Sequence, residues 1–226
     1  TAIFRPFDDS PEVNSLPALS DRFTFASFNR PNKINKHTVS LWAQILQESP
    51  SSRMLIAGFT FDAQVETLKD WFSKEGITEA RLVFHRRSDM MTYLKLHQSV
   101  DMCLDTFPYS GGTTTNHALW MGVPTMTVAG DTPASRQATS ILRAVGLNNF
   151  VANSKAEFVN SAATWPTQTH ELARIRSGLR NTMKASPIMD DLVIPNALVS
   201  AFRIMWKRWC LQEAPTSIDV SGALHC

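Results

Sequence analysis

Cysteine is scarce in this 226-residue sequence, and the three present, Cys103, Cys210 and Cys226, form no Cys-x-x-Cys pair. An odd, dispersed set argues against a disulfide framework and for a reducing compartment, so a cytoplasmic protein is expected. Excess charge is lacking too: 22 Lys and Arg stand against 20 Asp and Glu, with no long basic stretch interleaved with aromatics. Nucleic acid and anionic membranes are therefore not expected partners, and any anion site must be local. No segment has the run of about eighteen uncharged apolar residues that a membrane span needs. The first twenty residues carry Pro6, Asp8, Asp9, Pro11 and Glu12 where a signal peptide has an apolar core. An initiator Met is also missing, and "TAIFRPFDDSPEVNSLPALSD" (1–21) reads as an irregular connector, so the chain is expected to be a fragment.

Several catalytic signatures are missing as well. There is no Asp-x-Asp, no His-Glu-x-x-His and no paired Cys/His cluster, so no structural or catalytic metal is expected. His85 and His97 read as strand-end and helix-surface residues. The absence of Gly-x-Ser-x-Gly removes the usual hydrolase elbow.

What the sequence does contain is enough apolar content, 43%, for a real core. From Arg22 onward, short β-branched or aromatic runs alternate with longer amphipathic ones, the signature of a parallel sheet with crossover helices. The strand candidates are 22–28, 52–58, 80–85, 101–107 and 125–130, each short and mostly apolar, as strands covered on both faces are. Between them, Val39, Trp42, Ile45 and Leu46 line one helix face, and Val65, Leu68, Trp71 and Phe72 line another. Gly76, Gly122 and Gly146 mark helix ends. After Phe150 the strand signal fades, and the remaining helices, the last with Leu198, Phe202, Met205 and Trp209 on one face, are expected to form a closing layer. The expected fold is thus α/β, with about five strands each followed by a helix, a domain over 22–211 and a loose tail over 212–226.

Two loops fall where such a sheet binds ligands, beyond the carboxyl ends of its strands. In "LDTFPYSGGTTTNHALWMGVPT" (104–125), Gly111 and Gly112 permit close backbone approach, and Thr113, Thr114 and Thr115 bring hydroxyls and first-turn amides at a helix N-terminus. That combination suits a pyrophosphate. The stretch also reads as an ordinary loop before a threonine-capped helix, and the residues alone leave both readings open. It is neither Gly-x-x-x-x-Gly-Lys-Ser/Thr nor Gly-x-Gly-x-x-Gly, and it follows the fourth strand, which disfavours a P-loop ATPase or a standard dinucleotide fold. The loop after the first strand, "FNRPNKINKHT", carries Arg30, Lys33 and Lys36. If the two strands are neighbours, both loops face one cleft, where a lysine can offset charge growing on a departing diphosphate. Taken singly, these cations also read as solvated surface residues.

Taken together and in order, "SFNRPNKIN", "LDTFPYSGGTTTNHALWMGVPT", "GDTPASR" and "ASPIMD" resemble the C-terminal half of the catalytic region of the O-linked N-acetylglucosamine transferase and SPINDLY family, over about residues 20 to 210. A bacterial member is the expectation. The resemblance implies a GT-B glycosyltransferase, in which two Rossmann-like domains face each other and the C-terminal one holds the nucleotide sugar. It further implies an inverting, metal-independent enzyme moving a sugar, first of all N-acetylglucosamine from UDP-GlcNAc, to Ser or Thr of a protein, with no cofactor beyond that donor. GDP-fucose and UDP-glucose are the alternative donors, and a noncatalytic nucleotide-binding domain is the alternative role. By matching positions, Lys33 would contact the diphosphate and stabilise the leaving group, Arg30 would lie by the nucleotide, and Gly111 to Thr115 would bind phosphates. His117 stands where relatives carry a ribose-binding Asp, and Met90 where they carry a Lys; Arg86 or Arg87 is the candidate substitute. The family's tetratricopeptide helices and acceptor-facing N-terminal domain, through which a protein acceptor docks, would lie outside these residues.

Overall fold

A computed structural model describes residues 4–220. Six strands form one parallel sheet: β1 (Thr24–Ser27), β2 (Arg53–Phe59), β3 (Leu82–Arg86), β4 (Met102–Leu104), β5 (Thr125–Val128) and β6 (Val151–Ala152). Their order is β3-β2-β1-β4-β5-β6, the doubly wound arrangement whose strand order reverses between β1 and β4. Those two strands are paired, Phe25 against Met102 and Ala26 against Cys103. The loops after the first and fourth strands are thereby brought to a single crevice.

The helices α1 (Lys36–Glu48), α2 (Asp62–Lys74), α3 (Met90–Leu96), α4 (Thr113–Trp120), α5 (Gln137–Ala144), α6 (Lys155–Thr164), α7 (Thr169–Lys184) and α8 (Val193–Cys210) follow the sequence pattern closely up to α7. In α1, Val39, Trp42, Ile45 and Leu46 are all fully buried, as their spacing requires. Gly76, Gly122 and Gly146 lie just past helix ends with φ of +77°, +77° and +79°, a backbone region in which a side chain is strained.

Three expectations need correction. The sheet has six strands, not about five. Residues Val151–Ala152, which show no alternation of their own, are recruited by β5 through the pairs Thr127 with Val151 and Val128 with Ala152. Second, His97 is not a helix-surface residue. It is fully buried, with its ring stacked 3.8 Å from that of Phe28 and its Nδ1 3.1 Å from the Tyr93 carbonyl. Burial pushes its pKa down to about 3, so it stays neutral at physiological pH.

Third, the last helix does not close the domain. Leu179 and Met183 of α7 are buried, but α8 buries none of its residues, and Phe202, Trp206 and Trp209 are 60%, 67% and 76% exposed. The apolar face read from the sequence is present but covered by no described residue. Helix stability here owes little to the rest of the fold. Deleting residues 192–226 is expected to change the unfolding free energy of the remainder by less than about 1 kcal/mol; urea denaturation of the shortened chain checks this.

At the other end, the described part of the connector read over 1–21, residues 4–21, is packed onto the domain. Phe4 and Leu16 are buried, and the segment is anchored by Arg176 of α7. That guanidinium, itself buried, donates to the Asn14 carbonyl at 2.8 Å, the Asn14 side-chain oxygen at 2.6 Å, and the Val100 and His97 carbonyls at 2.8 and 3.3 Å. Asp101 takes the other side of the junction, accepting from the Ala18 and Thr24 amides, each at 2.8 Å. No described helix is long and apolar enough to cross a membrane.

Candidate nucleotide site at the β1–β4 crevice

Helix α4 begins at the reversal point, and its cap is Gly112, which has no side chain to offer. None of the neighbouring threonines caps the helix either, which removes the threonine-capped reading. The first-turn amides of Thr113, Thr114 and Thr115 are therefore left without intrahelical or capping partners, at the positive end of the helix dipole. Such a terminus is an anion site in waiting.

The turn leading into it is shaped by Asp105, which follows β4 and is fully buried. Its Oδ1 accepts from the Gly111 amide at 2.7 Å, the Thr106 amide at 2.8 Å and the Asn29 side-chain amide at 3.3 Å; its Oδ2 accepts from the Thr127 hydroxyl at 2.6 Å. Asn29 in turn accepts from the Thr114 hydroxyl at 3.1 Å. The ends of β1, β4 and β5 and the start of α4 are tied into one polar network, every link of which involves Asp105 or its neighbour Asn29.

The eight predicted site residues take different places in it. Lys33 is half-buried beside the turn, its Nζ donating to the Ser110 carbonyl at 2.9 Å and lying 3.9 Å from the centre of the Tyr109 ring. Burial lowers its pKa, and the nearby Asp105 charge opposes that. Thr113, Thr114 and Gly112 line a small cavity of about 250 Å³ together with Lys33 and Arg30. Gly111 has its amide committed to Asp105 and contributes by lacking a side chain: a Cβ there would stand 2.5 Å from the Thr115 hydroxyl. Thr115, also buried, thus turns its hydroxyl inward toward Gly111 and, unlike Thr113 and Thr114, does not line this cavity.

His117 borders two larger cavities, one of about 820 Å³ walled by the N-terminal Phe4 and Phe7, the other of about 680 Å³. Its Nδ1 is 3.3 Å from the Tyr93 hydroxyl, and Phe4 and Phe7 pack on its ring at 5.9 and 6.0 Å. Burial lowers the pKa of the imidazole, which favours the neutral ring at pH 7 and leaves Nε2 to meet a hydroxyl. The 680 Å³ cavity runs from Arg30, Thr113 and Thr114 past His117 to Arg87 and Met90. Of the two arginines expected to replace a lysine, Arg86 is paired with Asp62, whereas the Arg87 side chain has no hydrogen-bond or ion-pair partner among the described residues.

The turn, the helix start, Arg30 and Lys33, all singled out from the sequence, lie together at the crevice, whereas Lys36 does not line it. Asp105, Asn29 and Tyr93, which contact these residues, were not singled out. Asp105 carried one available signal: an acidic residue at the end of an apolar strand, six positions before the paired glycines, has to be neutralised by donors if it is buried. Among the described residues no group of three or more His, Cys, Asp or Glu is placed to hold a metal ion.

The chain is similar to several known proteins. The family profile described as Glycosyl transferase family 41 matches residues 12–194. A Solanum lycopersicum protein named "Probable UDP-N-acetylglucosamine--peptide N-acetylglucosaminyltransferase SPINDLY" is 34% identical over 221 residues, covering 94% of this chain but 23% of its own length. A Caenorhabditis elegans UDP-N-acetylglucosamine--peptide N-acetylglucosaminyltransferase is 30% identical over 189 residues, 84% of this chain and 16% of its own. Among solved structures, a mutant O-GlcNAc transferase of Thermobaculum terrenum superposes with a TM-score of 0.81 at 28% identity, over 93% of this chain and 40% of that one. The chain therefore spans less than a quarter of the length of these two curated relatives and 40% of the solved one.

Proposed function

Because the chain belongs to glycosyl transferase family 41, we propose that it is the donor-binding half of a protein O-glycosyltransferase, holding UDP-N-acetylglucosamine in the β1–β4 crevice. The observation that carries this reading is the uncapped start of α4, with Lys33 beside it, at the reversal point of the sheet. The nucleoside lies in the 680 Å³ cavity, its ribose near His117 and Arg87 supplying the cation that Met90 does not. The diphosphate lies against the amides of Thr113 to Thr115.

In the transfer step, a Ser or Thr hydroxyl of the acceptor attacks the anomeric carbon as the bond to the diphosphate oxygen breaks, with inversion at that carbon. The proton leaves with a base outside these residues, and the negative charge gathers on the departing diphosphate. Lys33 and the helix terminus hold that charge in place, which is the assistance a metal-independent mechanism requires. Donors are thus bound here, while the acceptor and its base belong to other parts of the longer protein.

Calorimetric titration with UDP tests the site. Binding with a Kd between about 1 µM and 1 mM is expected, and Lys33→Ala should weaken it about 10- to 100-fold through loss of one charge-assisted contact. Folded protein that binds neither UDP nor GDP would refute the assignment. A thermal-shift comparison of the two nucleotides selects the donor class, since a ligand at one hundred times its Kd stabilises by about 2.7 kcal/mol.

A further inference from the structure

We propose that Asp105 is the positioning residue of the diphosphate turn: from beneath it, the carboxylate holds the N–H of the Ser110–Gly111 peptide whose carbonyl receives the Lys33 ammonium at the mouth of the crevice. This rests on the reading of the crevice as a nucleotide site and goes beyond it, since Asp105 touches no ligand.

The geometry gives Asp105 two separable tasks. The first is mechanical. Oδ1 gathers three N–H donors from three parts of the chain, the Gly111 amide, the Thr106 amide and Asn29. With the Gly111 N–H drawn down into the protein, the amides that follow it at the start of α4 are left facing outward. Asn29, held by the same oxygen, in turn accepts from the Thr114 hydroxyl and so fixes the helix end. Oδ2, meanwhile, accepts from the Thr127 hydroxyl of β5. Without this acceptor, three buried N–H groups lose their partner, and the turn must move to find others.

The second task is electrostatic. Burial raises the Asp105 pKa, against the hydrogen bonds it accepts from Thr127, Thr106 and Gly111 and against the Lys33 charge, so the carboxylate depends on these partners to stay ionised. Its counterpart is Lys33, which burial drives toward the neutral form while Asp105 drives it back toward the charged one. The other groups facing the ammonium are Arg30, whose charge works against protonation, and the uncharged Tyr109 ring and Ser110 carbonyl. Asp105 is the only acidic group acting on Lys33 among the described residues. A bound diphosphate would take over that role, so the carboxylate matters most while the crevice is empty and as the ligand arrives.

Two variants divide the tasks. Asp105→Asn keeps the shape: its carbonyl can accept the three N–H donors, and its NH2 can donate to the Thr127 oxygen, while the charge is lost. Asp105→Ala removes both. UDP titrations of the wild type and both variants from pH 7 to 10.5, with thermal unfolding to register the folded fraction, test the proposal. At pH 7 Asp105→Ala should lose affinity by at least about 30-fold and Asp105→Asn by less than about threefold. The fall in affinity at alkaline pH should begin at a lower pH in Asp105→Asn than in the wild type. A purely structural role would move the unfolding temperature and leave that pH profile unchanged. Folded Asp105→Ala with wild-type affinity, or Asp105→Asn with the wild-type pH profile, would overturn the proposal; should Asp105→Ala not fold, the pH profile of Asp105→Asn decides alone. Failure of the wild type itself to bind UDP refutes the nucleotide site and is distinct from either result.

Discussion

Arg176→Met is expected to destabilise the fold by about 3–5 kcal/mol, lowering Tm by about 10 °C. The side chain is 1% exposed, and its guanidinium is the sole common donor to Asn14, Val100 and His97, which belong to the N-terminal segment and the approach to β4. Methionine fills much of the same volume, so the loss comes from orphaned acceptors and not from a cavity. Burial lowers the Arg176 pKa to about 10, which still leaves it charged at pH 7. Denaturant titration followed by far-ultraviolet circular dichroism measures the effect, and a loss below about 1 kcal/mol would show that contacts other than those of Arg176, such as Asp101 to Ala18, hold the segment over 4–20.

The second large effect concerns ligand binding. Gly111→Ala should weaken UDP binding about 100-fold, with Gly112→Ala about tenfold milder. The two glycines are adjacent, but their surroundings differ. A Cβ at Gly111 meets the Thr115 hydroxyl at 2.5 Å, the Thr114 hydroxyl at 3.1 Å and the Asp105 carboxylate at 3.2 Å, three groups of the network that shapes the turn. None can retreat without disturbing the helix start. At Gly112 the obstacle is the far end of the Gln137 side chain, 2.6 Å away, and that side chain lies on the exposed side of α5 and can swing clear. Equal losses in the two variants, measured by calorimetry, would mean that side-chain space is not what the pair of glycines provides.

Much of this was legible in the residues. Alternating apolar runs located five strands and the helices between them because each such element carries its own period, and paired glycines before three threonines located the crevice because few other residues allow so close an approach. Other features depend on what lies opposite. Val151 and Ala152 are a strand only because β5 leaves an edge for them. The apolar face of α8 repeats with helical spacing whether or not anything covers it, so its periodicity showed the helix and not its exposure. His97 carries no sign in the sequence that Phe28 will stack on it. The importance of Asp105 depends on donors brought in from residues 29, 111 and 127, which become neighbours only through the strand order.

The same strand order has a kinetic side. Lys33 and Ser110 meet across 77 residues of chain, and Asn29 and Asp105 across 76. Contacts that close such long loops form only after much of the chain has been ordered. A half-folded molecule with α1 and β2 in place would own every residue of the β1 loop and still have no crevice. The crevice therefore takes shape late in folding, when β4 docks on β1, so that whatever it holds is bound only by molecules that have finished folding.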